Sequence, residues 1–445
     1  MLPESASVLR VSLEFLQEVT LADPYSLRML RAFVNLEQLS LTNNKIDAYG
    51  IAAFAEAVRA GAMRQLSVLQ LDENNICGSA AVKPLAKLFA SKLLPALRIL
   101  SLNRNIIHEG LVDLAKGFRE GHASALRALY LYRSGVDDVG VEALCESLAH
   151  GALPNLEKLH LEHNQEMGDR AAVAIAGAAT TGLLNNLEEL HIPGPNRVGN
   201  AGCHALAKPI SEGRMPKLLH CNVHQTLLVG DDGFSAIMDA ARQFGKLEHL
   251  TAGRLTRLTS AGGMAAAAFL RSEAAASLIS LHLGYNRLGE SFEQVVDALA
   301  TNPPKRMKNL LLYGCQADAG PALVALAKSL QEGSMPELER IELKSNVIPI
   351  EVADSIRETF RKRMEGGGGT IIFSLEPMRR PSSPAGAATT AAISVSAPLP
   401  VPATAAPSHA TFTLQRFILG TANLLGGDWN PYQFAPKPAD IADTG

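Results

Sequence analysis

Residues 97–107 read Leu97-Arg98-Ile99-Leu100-Ser101-Leu102-Asn103-Arg104-Asn105-Ile106-Ile107. Leucines at 97, 100 and 102, an asparagine at 105 and an isoleucine at 107 form the frame L-x-x-L-x-L-x-x-N-x-I. The core of the frame alternates apolar and polar side chains. That is period two, so the segment is a short strand with one apolar face. Asn105 falls where the chain leaves the strand, and its amide can bond backbone groups that the turn would otherwise leave unpaired.

The frame recurs. Copies start at Leu36, Leu66, Leu97, Leu126, Leu156, Leu187, Leu218, Leu247, Leu278, Met307 and Leu338, spaced 29 to 31 residues apart. Asparagine holds its place at Asn44, Asn74, Asn105, Asn164, Asn286 and Asn346; Asn196 is displaced by one residue. Ser134 and Thr226 can do part of the same work, whereas Leu255 and Cys315 are expected to leave looser turns. Stacked copies should form an asparagine ladder.

Between strands the chain carries helical stretches such as GIAAFAEAVRA, EGLVDLAKGFRE, GVEALCESLAH and GPALVALAKSLQEG. Their apolar residues recur at three and four, and Gly or Pro is expected to close them. Strand and helix in strict alternation imply parallel strands in one layer with the helices on one side. Helices are wider than strands, so the stack curves with the strands on the concave face.

These motifs, with the helix pattern of Gly140-Val141-Glu142-Ala143-Leu144, resemble the ribonuclease-inhibitor subfamily of leucine-rich-repeat proteins over about residues 30–365. The resemblance implies an α/β solenoid, a horseshoe of about eleven repeats, and protein binding. It names no partner.

The domain reading follows from the repeats. Residues 1–35 form an N-terminal cap, 36–365 the solenoid, and 366–380 a capping strand built on the run TIIFSL. Residues 381–410 are rich in Pro, Ala, Ser and Thr and read as a disordered linker. Residues 411–445 are apolar again and carry the only tryptophan, Trp429, with Tyr432 and Phe434, a candidate docking segment.

Composition narrows the function. The 445 residues hold 41 basic and 44 acidic side chains, a net charge of −3, which supplies no global attraction to nucleic acid or anionic membrane. No membrane span or secretory leader is evident. Five widely spaced cysteines suggest free thiols in a reducing compartment, so a cytoplasmic location is expected, with nucleus and cilium left open. No phosphate-loop, zinc-protease or serine-nucleophile motif occurs, and no cofactor or catalytic residue is assigned.

The informative positions are those that point away from the core: Ser40, Gln70, Ser101, Tyr130, His160, His191, Asn222, Thr251, His282, Leu311 and Glu342. Seven of the twelve histidines lie in or beside such positions: His160, His163, His191, His220, His224, His249 and His282. They suggest either a metal or pH-responsive surface, or rings that stack across strands without fixed-charge repulsion. No metal site is assigned, because no third ligand is evident from spacing alone, although Glu162 and Glu189 lie nearby. Arg104, Tyr130, Tyr132 and Arg133 form the expected binding hot spot, with His160, Glu162, His191, His282, Tyr285 and Tyr313 as further partner-binding residues.

The leading expectation is therefore a non-enzymatic scaffold that binds one or more proteins on its concave face. One alternative is a GTPase activator similar to the Ran GTPase-activating protein, with a small GTPase as partner. The acidic segment typical after that family's repeats is absent, since residues 376–445 carry four basic and four acidic residues. A second alternative is a regulator in an innate-immune type of leucine-rich-repeat pathway.

Overall fold

The structure is a computed structural model. It describes residues 10–12, 21, 28, 30–315, 320–346, 348, 350–365 and 372–374, all within the first of two units, Met1–Ser382. The linker and tail readings, including Trp429, Tyr432 and Phe434, lie outside the described residues.

Among the described residues, thirteen three-residue strands form one parallel sheet whose spatial order is the sequence order. They are β1 Arg10–Ser12, β2 Gln38–Ser40, β3 Val68–Gln70, β4 Ile99–Ser101, β5 Ala128–Tyr130, β6 Lys158–His160 and β7 Glu189–His191. The series continues with β8 His220–Asn222, β9 His249–Thr251, β10 Ser280–His282, β11 Asn309–Leu311, β12 Arg340–Glu342 and β13 Ile372–Ser374. Register is constant: Leu100 faces Leu129, Leu129 faces Leu159, and Leu159 faces Leu190. From β2 to β12 each central residue is buried and its two neighbours face the other way. β1 and β13 add one strand beyond the repeats at each end.

Eleven helices cover the other side among the described residues. They are α1 Ala48–Arg59, α2 Gly78–Ala90, α3 Gly110–Gly121, α4 Asp138–Ala149, α5 Asp169–Thr180 and α6 Asn200–Ser211. Then come α7 Asp231–Phe244, α8 Ser260–Leu270, α9 Ser291–Thr301, α10 Gly320–Gln331 and α11 Ile350–Glu365. Each lays a stripe such as Leu111, Leu114, Ala115 and Phe118 against the strand leucines. Pro84 and Pro209 sit inside α2 and α6 rather than closing them. There the burial of the apolar stripe outweighs one missing donor. Gly117 and Gly121, one turn apart on α3, let that helix close on α2: a Cβ at Gly121 would stand 1.8 Å from the Phe89 carbonyl oxygen.

The asparagine ladder is present and links consecutive repeats. Asn164 Nδ2 donates to the Leu131 and Leu161 carbonyls, both at 2.9 Å, and its Oδ1 accepts from the Ser134 and Val136 amides. Asn105, Asn286 and Asn346 repeat the pattern with their own preceding turns. Ser134 Oγ donates to the Leu102 carbonyl as expected. Cys315, expected to leave a loose turn, points its Sγ at the Leu283 carbonyl at 3.5 Å, so the thiol takes the asparagine's place as a weak donor.

A second ladder runs along the helix starts. Gly168, Gly199 and Gly230 precede α5, α6 and α7 and have no side chain with which to cap them. The cap comes from the preceding repeat: Asp138 Oδ1 accepts from the Gly168 and Ala171 amides, and Asp169 Oδ1 from Gly199 and Gly202. Asn200 serves Gly230 in the same way, and Asp231 serves Thr259 and Gly262. Asp169→Ala is expected to lower stability by about 1–2 kcal/mol, as lost N-caps do. A urea midpoint equal to wild type would refute this role.

All five cysteines are free thiols. Burial pushes Cys145, Cys203, Cys221 and Cys315 up to about 12, so they act as small apolar residues. No helix among the described residues is long and apolar enough to cross a membrane.

Candidate functional site

The sheet face carries two columns of side chains, one from each flank of the buried central residue. After β2 to β6 and β8 to β12 the chain leaves the strand through a left-handed residue placed just before the ladder position. Arg104, Arg133, His163, Arg254 and Tyr285 occupy it with φ between 51° and 58°. Residues other than glycine pay a steric cost there, yet here the position carries large cationic and aromatic side chains.

Three groups assemble on this face. The first is Tyr132, with the Arg104 and Arg133 guanidinium carbons 5.5 and 5.4 Å from its ring centre and His163 edge-on at 5.1 Å. Such cation–aromatic pairs hold both partners in place while leaving their outer faces free. Arg104 also pairs with Glu73 at 3.3 Å.

The second group lies near the middle of the sheet. His160 is clamped by carboxylates: Nδ1 is 3.2 Å from Glu162 Oε1, and Nε2 is 2.9 Å from Glu189 Oε2. Lys158 Nζ reaches Glu189 Oε1 at 2.5 Å, and His191 Nδ1 reaches Glu162 Oε1 at 3.0 Å. Burial opposes a charge on His160, but the bonds and charges of Glu162 and Glu189 outweigh it and raise its pKa. Burial likewise opposes Glu162, yet the two histidines hold it down at about 2. Bonds from His160 and Lys158 hold Glu189 far below the carboxylate range despite its burial. The His160 and His191 rings stack at 4.1 Å, and the His220 and His249 rings at 4.0 Å. Stacking and carboxylate bonding therefore coexist here.

The third group is Tyr285 and Tyr313, ring centres 4.9 Å apart, with Arg254 4.8 Å over Tyr285 and Lys344 5.7 Å over Tyr313. Tyr313 Oη lies 2.8 Å from His282 Nε2, and His224 packs on His282 at 4.8 Å.

The structure thus separates the sequence-derived site residues by exposure. Arg104, Tyr132, Arg133, Tyr285 and Tyr313 retain solvent-facing surface. Tyr130, His160 and Glu162 do not: they are 5%, 2% and 9% exposed. The correction has a simple cause. Strands about 4.8 Å apart pack Tyr130 edge-on against His160, with ring centres 4.8 Å apart. Burial, then the charges of Glu189 and Glu162, raises the Tyr130 pKa, so its hydroxyl stays neutral. These three residues support the face rather than present it. Arg254, Lys344, Lys158 and Glu189 were absent from the sequence-derived set. Lys158 and Glu189 open β6 and β7 beside the buried central residue, where strand alternation could have found them; Arg254 and Lys344 lie in the turns beyond β9 and β12, where alternation gives no signal.

Fold and repeat chemistry together define a leucine-rich-repeat solenoid with a polar, aromatic-rich strand face. A family model described as Leucine Rich repeat matches residues 152–176, which run through β6 into α5. Among solved structures, the Rad7 and Elc1 complex from yeast is similar at TM-score 0.51 and 16% identity, covering 77% of this chain and 78% of that one. An internalin from Listeria monocytogenes is similar at TM-score 0.42 and 17% identity, covering 74% of this chain and 86% of that one. These similarities concern the fold. A search of curated proteins by sequence finds no match.

Proposed function

We propose that the protein is a non-enzymatic scaffold that holds a partner protein against its strand face, gripping acidic side chains of that partner through two cation–aromatic clusters. The observation that carries this is the pairing of Arg104 and Arg133 with Tyr132, and of Arg254 and Lys344 with the Tyr285–Tyr313 pair. Arg and Tyr are the common anchors of protein interfaces. Each cluster arrives preassembled, so little side-chain freedom is lost on binding. The clusters centre five strands apart, roughly 24 Å at the usual strand spacing, a span suited to one folded domain. The similarity to the yeast complex fits such a role at the level of fold alone.

The test is affinity capture from lysate with wild-type protein, with Tyr132→Ala/Arg133→Glu, and with a chain ending at residue 380. The partner is then titrated directly. Loss of two hot-spot side chains should weaken binding about 100-fold, since each truncation costs roughly 1–2 kcal/mol or more. Unchanged affinity in the double variant, with loss on truncation, would move the function to the tail. A small GTPase among the partners would call for a hydrolysis assay, because an activator speeds GTP turnover in catalytic amounts and a scaffold does not.

A further inference from the structure

His160 and His191 are register partners at the ends of β6 and β7, and Glu189 opens β7 opposite Lys158. One donor atom each from His160, Glu189 and His191 lies within 4.8 Å of the others. A histidine–carboxylate cluster on a sheet face is not by itself a site. Two further features make it one.

The first is the placement of Glu162. Its Oε1 stands 3.2 Å from His160 Nδ1 and 3.0 Å from His191 Nδ1. A carboxylate that accepts from both Nδ1 atoms fixes both as donors; it turns the His191 Nε2 lone pair outward, and His160 Nε2 gains one when the proton it shares with Glu189 Oε2 leaves. Metal-binding histidines are commonly oriented by such an outer carboxylate. The second is an orphan: Glu162 Oε2 is buried without a hydrogen-bond partner. Charge points the same way. Glu162 and Glu189 bring two negative charges into a site where Lys158 supplies one positive charge. The other must come from a proton on His160 or from a cation beside it.

We propose that His160 Nε2, His191 Nε2 and Glu189 Oε2 form a site for one divalent transition-metal ion, zinc in the first instance, with Glu162 orienting both imidazoles. Two imidazoles and one carboxylate form a known three-ligand zinc set, which leaves a fourth position for water. Lys158 engages Glu189 Oε1, so Oε2, now 2.9 Å from His160 Nε2, is the oxygen the ion would take. The ion replaces the proton that bridges those two atoms. The rings must splay from their stacked arrangement, 19° from parallel. Zinc about 2.05 Å from each nitrogen needs them about 3.3 Å apart. His191 is the less enclosed ring and makes most of that movement.

The test uses the full chain, expressed without a polyhistidine tag and stripped with chelator. Zinc chloride is titrated by calorimetry, and cobalt(II) is added separately as a spectroscopic probe. One equivalent of zinc should bind, the melting midpoint should rise with free zinc by mass action, and cobalt should give the visible bands of a four-coordinate nitrogen–oxygen site. His191→Ala and Glu189→Gln should abolish uptake, while Glu162→Gln should weaken it about 10- to 100-fold. His204→Ala, a histidine on α6 paired with Asp232, should bind as wild type does. Circular dichroism of each metal-free variant checks the fold. Should a variant fail to fold, the cobalt spectrum of the wild type decides. No zinc uptake by wild type, or uptake unchanged in both His191→Ala and Glu189→Gln, overturns the proposal and leaves His160 as an imidazolium between two glutamates.

Discussion

Asn164→Leu is expected to cost about 4 kcal/mol or more and to make urea unfolding less cooperative. Leucine matches asparagine in shape, so no cavity forms and the loss isolates hydrogen bonding. The side chain is fully buried and makes four hydrogen bonds with backbone groups. Each group left unpaired in the interior costs about 1–3 kcal/mol, with incomplete additivity. Three of the four, Leu131 O, Ser134 N and Val136 N, belong to the preceding repeat. The change therefore weakens an interface between repeats, and in a solenoid that splits one transition into two. The measurement is a urea curve followed by circular dichroism, with midpoint and slope fitted together. A loss below about 1 kcal/mol with an unchanged slope would mean that the ladder decorates the turns without holding them.

The protein should also lose stability steadily as pH falls from about 6.5 towards 4, with His224 and His282 as two of the causes. Burial, then the neighbouring His224 and Arg254, depresses His282 to about 3. Burial, then Arg254 and His163, depresses His224 to about 4. Free histidine titrates near 6.5. Above that pH neither state binds the proton, and stability is at its full value. Below it the unfolded chain takes up a proton at each histidine while the folded chain refuses, so stability falls until the folded pKa is reached. By pH 5 the loss is about 1–2 kcal/mol per histidine. Space is tight around both rings: a Cβ on Gly253 would lie 2.9 Å from His224 Nδ1 and from His282 Nε2. His282→Gln should flatten the curve by up to one proton, measured as unfolding free energy against pH. Parallel curves for wild type and variant would dismiss His282 as a contributor. Carboxylates elsewhere affect both proteins alike and cancel in the comparison.

Much of the fold was legible because its signals are local and repeated. Alternation around Leu100, Leu129 and Leu159 sets both the strand and its register, since a shift of one residue would turn every leucine outward. Asn164 and Ser134 could be assigned to the ladder because they occupy one position of one frame. The helix caps were not legible: Gly168 looks like a poor start until Asp138 is seen to reach across from the repeat before it. Nor was the left-handed turn, because nothing in the letters Arg104 or Tyr285 reveals a positive φ. At the site, the histidines were visible as a column, and Glu189 as lying near it, but spacing alone could not assign Glu189 as their partner. Its position opposes Lys158, and it reaches His160 only along the diagonal between neighbouring strands. Tyr130 was expected at the surface because alternation gives direction, not depth.

The two ladders face opposite ways along the chain. Asparagine 164 serves the turn before it, whereas Asp138, Asp169, Asn200 and Asp231 serve the helix after them. A protease nick or a recombination breakpoint between two such repeats therefore wounds both pieces: the upstream piece keeps a turn with idle amides, and the downstream piece a helix with a bare start. The module cannot be shortened gradually from either side in this region. Variation in its length has to come as whole units swapped between matching joints, with each newcomer bringing both the asparagine its predecessor needs and the acid its successor needs.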